Sequence, residues 1–313
     1  MNKNLFGEQI IETPERINIY ADEIQEKKCP YTDDKWLYIG LIIDRTNDSL
    51  LIDIINRRYK GNFDTKSPYF KKNDRIIHWS AISDGDTKNI AIRWLEYILS
   101  PESHAKFYAY ILGINISKLN LEEFDTINKF NSIYNRFFRS AVLYALKVFF
   151  PNKKIIVENI FHEKGQQQHH KYFPWHCIYK IEESESNITF ECKEITFLPK
   201  SHRESEGGDL RSNLIQLCDL FLGVSTSIIH GIEKSKTSQY REEVADLFLP
   251  LLREIINPPY SEKREHILTS NIMIRFFPKE KTDIGKLTRY THQFYTCRTL
   301  KYYEVKSGQI QLF

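Results

Sequence analysis

Residues 212–230 read SNLIQLCDLFLGVSTSIIH, nineteen residues at helical spacing in which Asp219 is the one formal charge. On a helical wheel Ser212, Gln216, Asp219, Gly223, Thr226, Ser227 and His230 fall in one arc, and Leu214, Leu217, Cys218, Phe221, Val224 and Ile228 fill the other. A stripe turned to bulk water normally carries Lys and Glu. Short side chains and a glycine instead suit close approach to another backbone or to a site. The apolar arc therefore predicts a helix laid on a sheet, and the polar arc a seam with one carboxylate in it. That carboxylate must be paired, protonated or metal-bound, because an isolated buried charge is too costly. From this helix alone, a structural ion pair and a metal ligand both remain open.

Working outward, RINIYADE is a short β-branched run ending in two acids, and KWLYIGLIID is a longer apolar run suited to a buried strand. Between them EIQEKKCPYTDD reads as a polar loop. NDSLLIDIINRRYKGN predicts a capped helix that stops at Gly61, and DGDTKNIAIRWLEYIL a second one ending before Pro101. DRIIHWSAIS reads as a short extended segment and HAKFYAYILGIN as a strand. LEEFDTINKFNSIYNRFFRSAVLYALKVFF is a long helix with a break near Asn131, closed by Pro151. KKIIVENIF returns to strand, HEKGQQQHHKYFPWHCIYKI is helical up to Pro174, and NITFECKEITFLP is a further strand. SQYREEVADLFLPLLREII adds a last helix before a β-like tail. Strands first, then strands alternating with helices, predict a mixed α/β sheet covered by helices.

The totals exclude several classes. With 41% hydrophobic, 13% aromatic and 27% charged residues, the 313-residue chain has the composition of a folded protein. No run of eighteen uninterrupted apolar residues occurs, and the N-terminus lacks the succession of a signal peptide, so the expectation is a cytoplasmic protein without a membrane partner. Cys29, Cys177, Cys192, Cys218 and Cys297 are odd in number and never in CxxC spacing, which suits reduced thiols. A net charge of +3 says little about a polyanionic partner. Its distribution says more: Ser261 to Phe313 holds ten Lys or Arg against five Asp or Glu, with eight Phe or Tyr interleaved. That mixture suits backbone neutralisation plus base stacking on single strands, and equally a small β subdomain with solvated lysines. Phosphate loops and GxSxG are absent from the sequence.

In YADE, a strand period of two puts Tyr20 and Asp22 on one face and Glu23 on the other. IIVENIFHEKG supplies a third acid at a strand end, either Glu163 or Glu158. Carboxylates from separate elements suit a hard divalent cation. Two such ions would activate water and stabilise the leaving oxygen in phosphodiester hydrolysis.

In order, IYADE, WLYIGLIID, IIHWSAIS, FHEKG and SNLIQLCDLFLGV resemble the landmarks of the domain-of-unknown-function family 3800. There an acidic first strand, a WS segment, an acid after a later strand and an LQLADLIAG helix recur. The resemblance spans roughly residues 16–230 and implies a ribonuclease H-like fold with metal-dependent nuclease activity. It puts Asp22 and Asp219 at the acidic landmarks, Glu23 beside the first and Gln216 as a neighbour of the second. Two positions depart: His162 and Glu163 stand where the family often has Asp-Glu, and Ala81 where a basic residue often follows WS.

Together these readings predict an α/β fold, a ribonuclease H-like mixed sheet covered by helices, over residues 1–232. A C-terminal helix and a basic, aromatic β extension over 233–313 would pack on the same domain. The expected function is a nuclease acting on DNA or RNA with Mg2+ or Mn2+ on Asp22, Glu163 and Asp219, supported by Glu23, Glu158, His162 and Gln216. A protein partner or homo-oligomer stays open. So does a non-catalytic nucleic-acid or protein-binding module on the same fold. A zinc hydrolase on His162, Glu163, His169, His170, His176 and Cys177 is the third possibility, although their spacing matches no closed zinc pattern.

Overall fold

Alternation of Ile17, Ile19 and Ala21 with Asn18, Tyr20 and Asp22 forms the central strand of a sheet buried on both faces. The computed structural model describes residues 13–28, 34–47, 49–62, 64–124, 129–169, 173, 177–232, 235–256 and 271–278. Along the chain β1 (Glu15–Lys28), β2 (Lys35–Arg45), α1 (Ser49–Tyr59), α2 (Pro68–Asn73), α3 (Gly85–Ile98) and β3 (Phe107–Asn115) come first. Next come α4 (Lys129–Phe149), β4 (Ile155–Glu163), α5 (Tyr179–Ser184), β5 (Ile188–Phe190) and β6 (Ile195–Leu198). The chain continues through α6 (Ser212–His230), α7 (Ser238–Ile256) and β7 (Ile272–Phe277).

The sheet order is β5-β4-β1-β2-β3-β7, and β6 also pairs with β4. Among the described strands only β2 runs against the rest. One face of the sheet meets α6 with α1, α3 and α7, in a core holding Trp36, Tyr38, Trp94, Phe107 and Phe221. The other meets α4 and α5, through Ile17, Ile19, Tyr134, Phe138 and Phe173. The mixed, helix-covered α/β architecture is thus as the periodicity predicts.

Helix α6 is the centre of the helical layer on its face of the sheet. Every one of its residues except Asp219 is buried, and 94% of its apolar window lies inside the fold, so a helix long enough to cross a membrane serves here as a core helix. The expected polar arc is real, but it faces protein. Gly40 on β2 lets the Leu222 side chain settle onto the sheet, and Gly223 lets Trp79 settle onto the helix.

Four local expectations need correction. EIQEKK is the end of β1 and not a loop, because it stays paired with β2 through a register shift between Ile24 and Lys27. The HWSAIS segment joins no strand; Trp79–Ala81 is a single 3-10 turn packed on α6. NITFECKEITFLP is two strands, since β5 pairs with Ile155–Val157 and β6 with Ile160–Glu163 on either side of a bulge in β4. After β4, which keeps His162 and Glu163 in the strand, residues 166–169 make one 3-10 turn, Phe173 and Cys177 are helical, and α5 spans Tyr179–Ser184. His170, Pro174 and His176, like Cys29 and Cys297, lie outside the described residues.

C-terminal to residue 232, α7 packs on α3 and α6, and β7 extends the sheet parallel to β3. The extension thereby shares the core of the first 232 residues. Most of the basic and aromatic tail, residues 257–270 and 279–313, lies outside the described residues.

Candidate active site

Strand β4 ends at Glu163, whereas β1 runs on to Lys28 with only β2 beside it. The step opens a cleft of about 330 Å³ lined by Asp22, Glu163 and Asp219, with His78 and Lys200 among its other walls. The register explains how three elements meet. Asp22 lies opposite Gly40 on β2, on the face that Tyr20 and Phe161 share through a stacked ring pair 4.9 Å apart.

Glu163 reaches that face because of the bulge. Ile17 pairs with Val157, but Asn18 pairs with Asn159, so Glu158 is the extra residue. A one-residue insertion reverses which face each later side chain takes. Ile155 and Val157 accordingly face α4, while Phe161, six and four positions further along the same parity, faces α6. Without the bulge Glu163 would point into the α4 layer. Glu158 itself turns outward to an ion pair with Arg16 and has no part in the cleft.

Asp219 crosses to the strands from α6. Its Oδ2 accepts the Trp79 backbone N–H at 2.6 Å and lies 3.3 Å from His78 Nδ1. Asp22 Oδ1 accepts the Glu23 N–H at 2.8 Å. Burial pushes the Asp22 carboxyl well above the usual carboxylate range, and the charges of Asp219, Glu163 and Glu23 add to it. Burial also raises Asp219, against the pull of His78 and the Trp79 N–H. Opposing these acids is Lys200, whose Nζ is 2.7 Å from Glu163 Oε1 and whose own pKa rises through that bond.

Glu23 lines the rim of the cleft but turns its Oε2 toward His162, which belongs to the other side of the sheet. His162 is buried among Tyr134, Phe138, Phe173 and Phe197. Its Nδ1 is 2.8 Å from the Glu163 carbonyl and therefore carries the proton, so Nε2 accepts from the Tyr134 hydroxyl at 2.6 Å. Glu23 Oε2 sits 3.5 Å from the same Nε2 and has no hydrogen-bond partner among the described residues. His162 thus anchors the Glu163 backbone from behind; its side chain does not open into the cleft, so its expected support of the site is indirect.

Gln216, one turn before Asp219, is a clamp. Its Oε1 accepts from Ile77 N at 2.9 Å and Arg58 Nη2 at 2.6 Å, and its Nε2 donates to the Lys200 carbonyl at 2.9 Å. It so fixes both segments that bring His78 and Lys200 to the cleft. Arg58 is fully buried over Trp94, with Asn213 Oδ1 at 2.7 Å, and burial pulls its pKa down to about 9. Gln216→Ala should cost about 2 kcal/mol, because three buried polar partners lose their mate. A denaturant midpoint within experimental error of the parent would show that water replaces the clamp.

No family model matches this chain, and neither a curated protein nor a solved structure shows significant similarity to it. The donor chemistry must therefore speak for itself. Three oxygen donors, two of them strained toward protonation by burial and mutual charge, suit a hard divalent cation. In the present arrangement Glu163 is held by Lys200 and Asp219 by His78 and Trp79, and among the described residues no three His, Cys, Asp or Glu side chains enclose one ion. The histidine-rich segment offers less: Cys177 is buried with its thiol pushed up by desolvation, His162 is in the core and His169 is exposed. His78 and Lys200 escaped the sequence reading, since neither stands in a recognisable spacing with the acids.

Proposed function

We propose that the chain is a metal-dependent nuclease, hydrolysing a nucleic-acid phosphodiester on a ribonuclease H-like scaffold with Mg2+ or Mn2+. The observation that carries this reading is the convergence of Asp22, Glu163 and Asp219 from β1, β4 and α6 on one open cleft. The mixed sheet covered by helices accords with that scaffold, and so does the order of acidic motifs.

Asp22, Glu163 and Asp219 would hold the cation through their carboxylate oxygens. When bound, it supplies a nucleophilic water and neutralises charge at the phosphate. To serve as a ligand Glu163 would have to release Lys200, and the Lys200 ammonium, 58% exposed on its side chain, would then be free to contact a phosphate oxygen. His78, held beside Asp219, faces the same cleft and can carry a proton at Nδ1.

The Lys200–Glu163 ion pair also favours a second reading, a non-catalytic nucleic-acid module in which lysine permanently replaces the metal. One assay separates the two. Labelled single-stranded, duplex and hybrid substrates are incubated with the protein and Mg2+, Mn2+, Zn2+ or EDTA. Cleavage supported by Mg2+ or Mn2+ and stopped by EDTA is expected. Binding without cleavage under every ion would establish the second reading instead.

A further inference from the structure

Between α1 and the cleft the chain reads RRYKGNFDTKSPYFKKNDR, residues 57–75, with seven Lys or Arg against two Asp. Its two acids are already engaged. Asp74 accepts from Tyr59 Oη at 2.6 Å and lies 2.7 Å from His202 Nε2, and Asp64 caps its own turn through the Lys66 N–H at 3.0 Å. Arg58 is buried, Arg57 meets Glu102 and Arg75 meets Asp84. Lys60, Lys66, Lys71 and Lys72 remain exposed, and none meets a carboxylate among the described residues.

Helix α2 has no buried residue, yet it is fixed in place. Ser67 caps it at Tyr69 N, and the Phe70 ring stacks on Tyr59 at 4.7 Å and 4° between planes. With Phe70 as the anchor, Tyr69 is turned out and 68% exposed beside Lys71 and Lys72. An exposed aromatic ring held rigidly among unpaired ammonium groups lacks the apolar area that a protein or membrane contact needs. It matches what a single strand offers, a run of phosphates and unstacked bases.

The arm also leads to the right place. Lys72 and His78 are six positions apart, at most about 20 Å of extended chain. Arg203 bonds the Asp74 carbonyl, and Lys200 of the same loop lines the cleft. Arg75, Arg203 and Lys200 mark this route, each held by a carboxylate (Asp84, Asp74 with Glu206, and Glu163), so the cations without such a partner among the described residues are those of the arm itself.

We propose that the surface from Lys60 to Lys72 is a docking platform for single-stranded nucleic acid, in which Tyr69 stacks on a base and Lys66, Lys71 and Lys72 neutralise the backbone leading into the cleft. This rests on reading the cleft as the place where a phosphodiester is cut. The platform's own test needs no chemistry: fluorescence anisotropy of a labelled single-stranded oligonucleotide with the full chain in EDTA. The triple variant Lys66→Ala, Lys71→Ala, Lys72→Ala should bind at least about tenfold more weakly, with the slope of log K against log salt reduced by about 2, near 0.7 per lost phosphate contact. Tyr69→Ala should lose about tenfold with the slope unchanged, the signature of stacking. Lys153→Ala, at the opposite end of β4, should change neither. Parental affinity and slope in the triple variant would overturn the platform, and so would an equal loss of binding to poly-glutamate, which has no bases. Because EDTA prevents turnover, a failed platform leaves the carboxylate cleft standing, and an inactive cleft leaves this binding intact.

Discussion

Asp22→Asn will melt several degrees above the parent protein in metal-free buffer at pH 8, and the proposed phosphodiester hydrolysis should fall by about a thousandfold or more. Both effects come from one carboxylate. Asn keeps the Oδ1 that accepts the Glu23 N–H at 2.8 Å, so that contact within β1 is preserved. What disappears is a negative charge that burial, Asp219, Glu163 and Glu23 all oppose. The folded-state pKa of Asp22 is raised, so the folded protein binds a proton that the unfolded chain releases. Stability from this group is therefore complete below the unfolded carboxylate range, near pH 3.9, and is lost as pH rises through the folded value. The gap between variant and parent should open over that same rise. Each kcal/mol recovered moves the midpoint by roughly 2–4 °C.

Magnesium should reverse the order. At about 100 times its Kd the ion adds about 2.7 kcal/mol to a protein that binds it only when folded, and the Asp22→Asn variant should gain far less. Thermal melts at pH 5 and pH 8, each with EDTA and with Mg2+, check the whole pattern. A variant no more stable than its parent at pH 8 would mean that Asp22 already has a full set of partners. Retained hydrolysis would remove it from the site.

How much of this was legible beforehand differs from element to element. Periodicity was enough for β1 to β4 and for α1, α3, α4, α6 and α7, because each buries a face whose apolar residues recur at 2 or 3.6. The placement of Asp22 opposite Glu23 followed from the same rule. Glu163 did not. Simple alternation from Ile155 would send it to the α4 face, and only the bulge at Glu158 returns it to Asp22, a two-strand property that no single strand's sequence displays. The order of acids along the chain suggested Glu163 or Glu158, and pairing with Arg16 takes Glu158 away. His78, Lys200 and Arg58 were hidden for a related reason. They are brought in by Gln216, which ties two loops to α6 through hydrogen bonds between residues 139 and 16 positions apart. Basic and aromatic character stands out in the tail, while the exposed lysines of α2 lie between the helix that stops at Gly61 and the DRIIHWSAIS segment, in a stretch without a clear period.

Gly223→Ala should be the most damaging single methyl in the cleft's support, lowering stability by about 3 kcal/mol and hydrolysis with it. The added Cβ would lie well inside van der Waals contact of Trp79 Cβ and Cγ. Those atoms cannot swing away cheaply, since they are the root of a side chain held at its far end by Nε1 donating to Ser227 Oγ at 2.8 Å. Displacing Trp79 also withdraws its backbone N–H from Asp219 Oδ2, where it now stands at 2.6 Å, and carries the neighbouring His78 with it. Loss of a hydrogen bond to a buried carboxylate then adds to the steric cost. A fall in melting temperature on the order of 10 °C is expected. Gly85→Ala is the matched control: it sits in the first turn of α3 with nothing within 4 Å of the new methyl, and alanine should leave stability unchanged or raise it slightly. If Gly223→Ala melted like Gly85→Ala and kept its activity, the packing of Trp79 on α6 would not be what holds Asp219 and His78 in place.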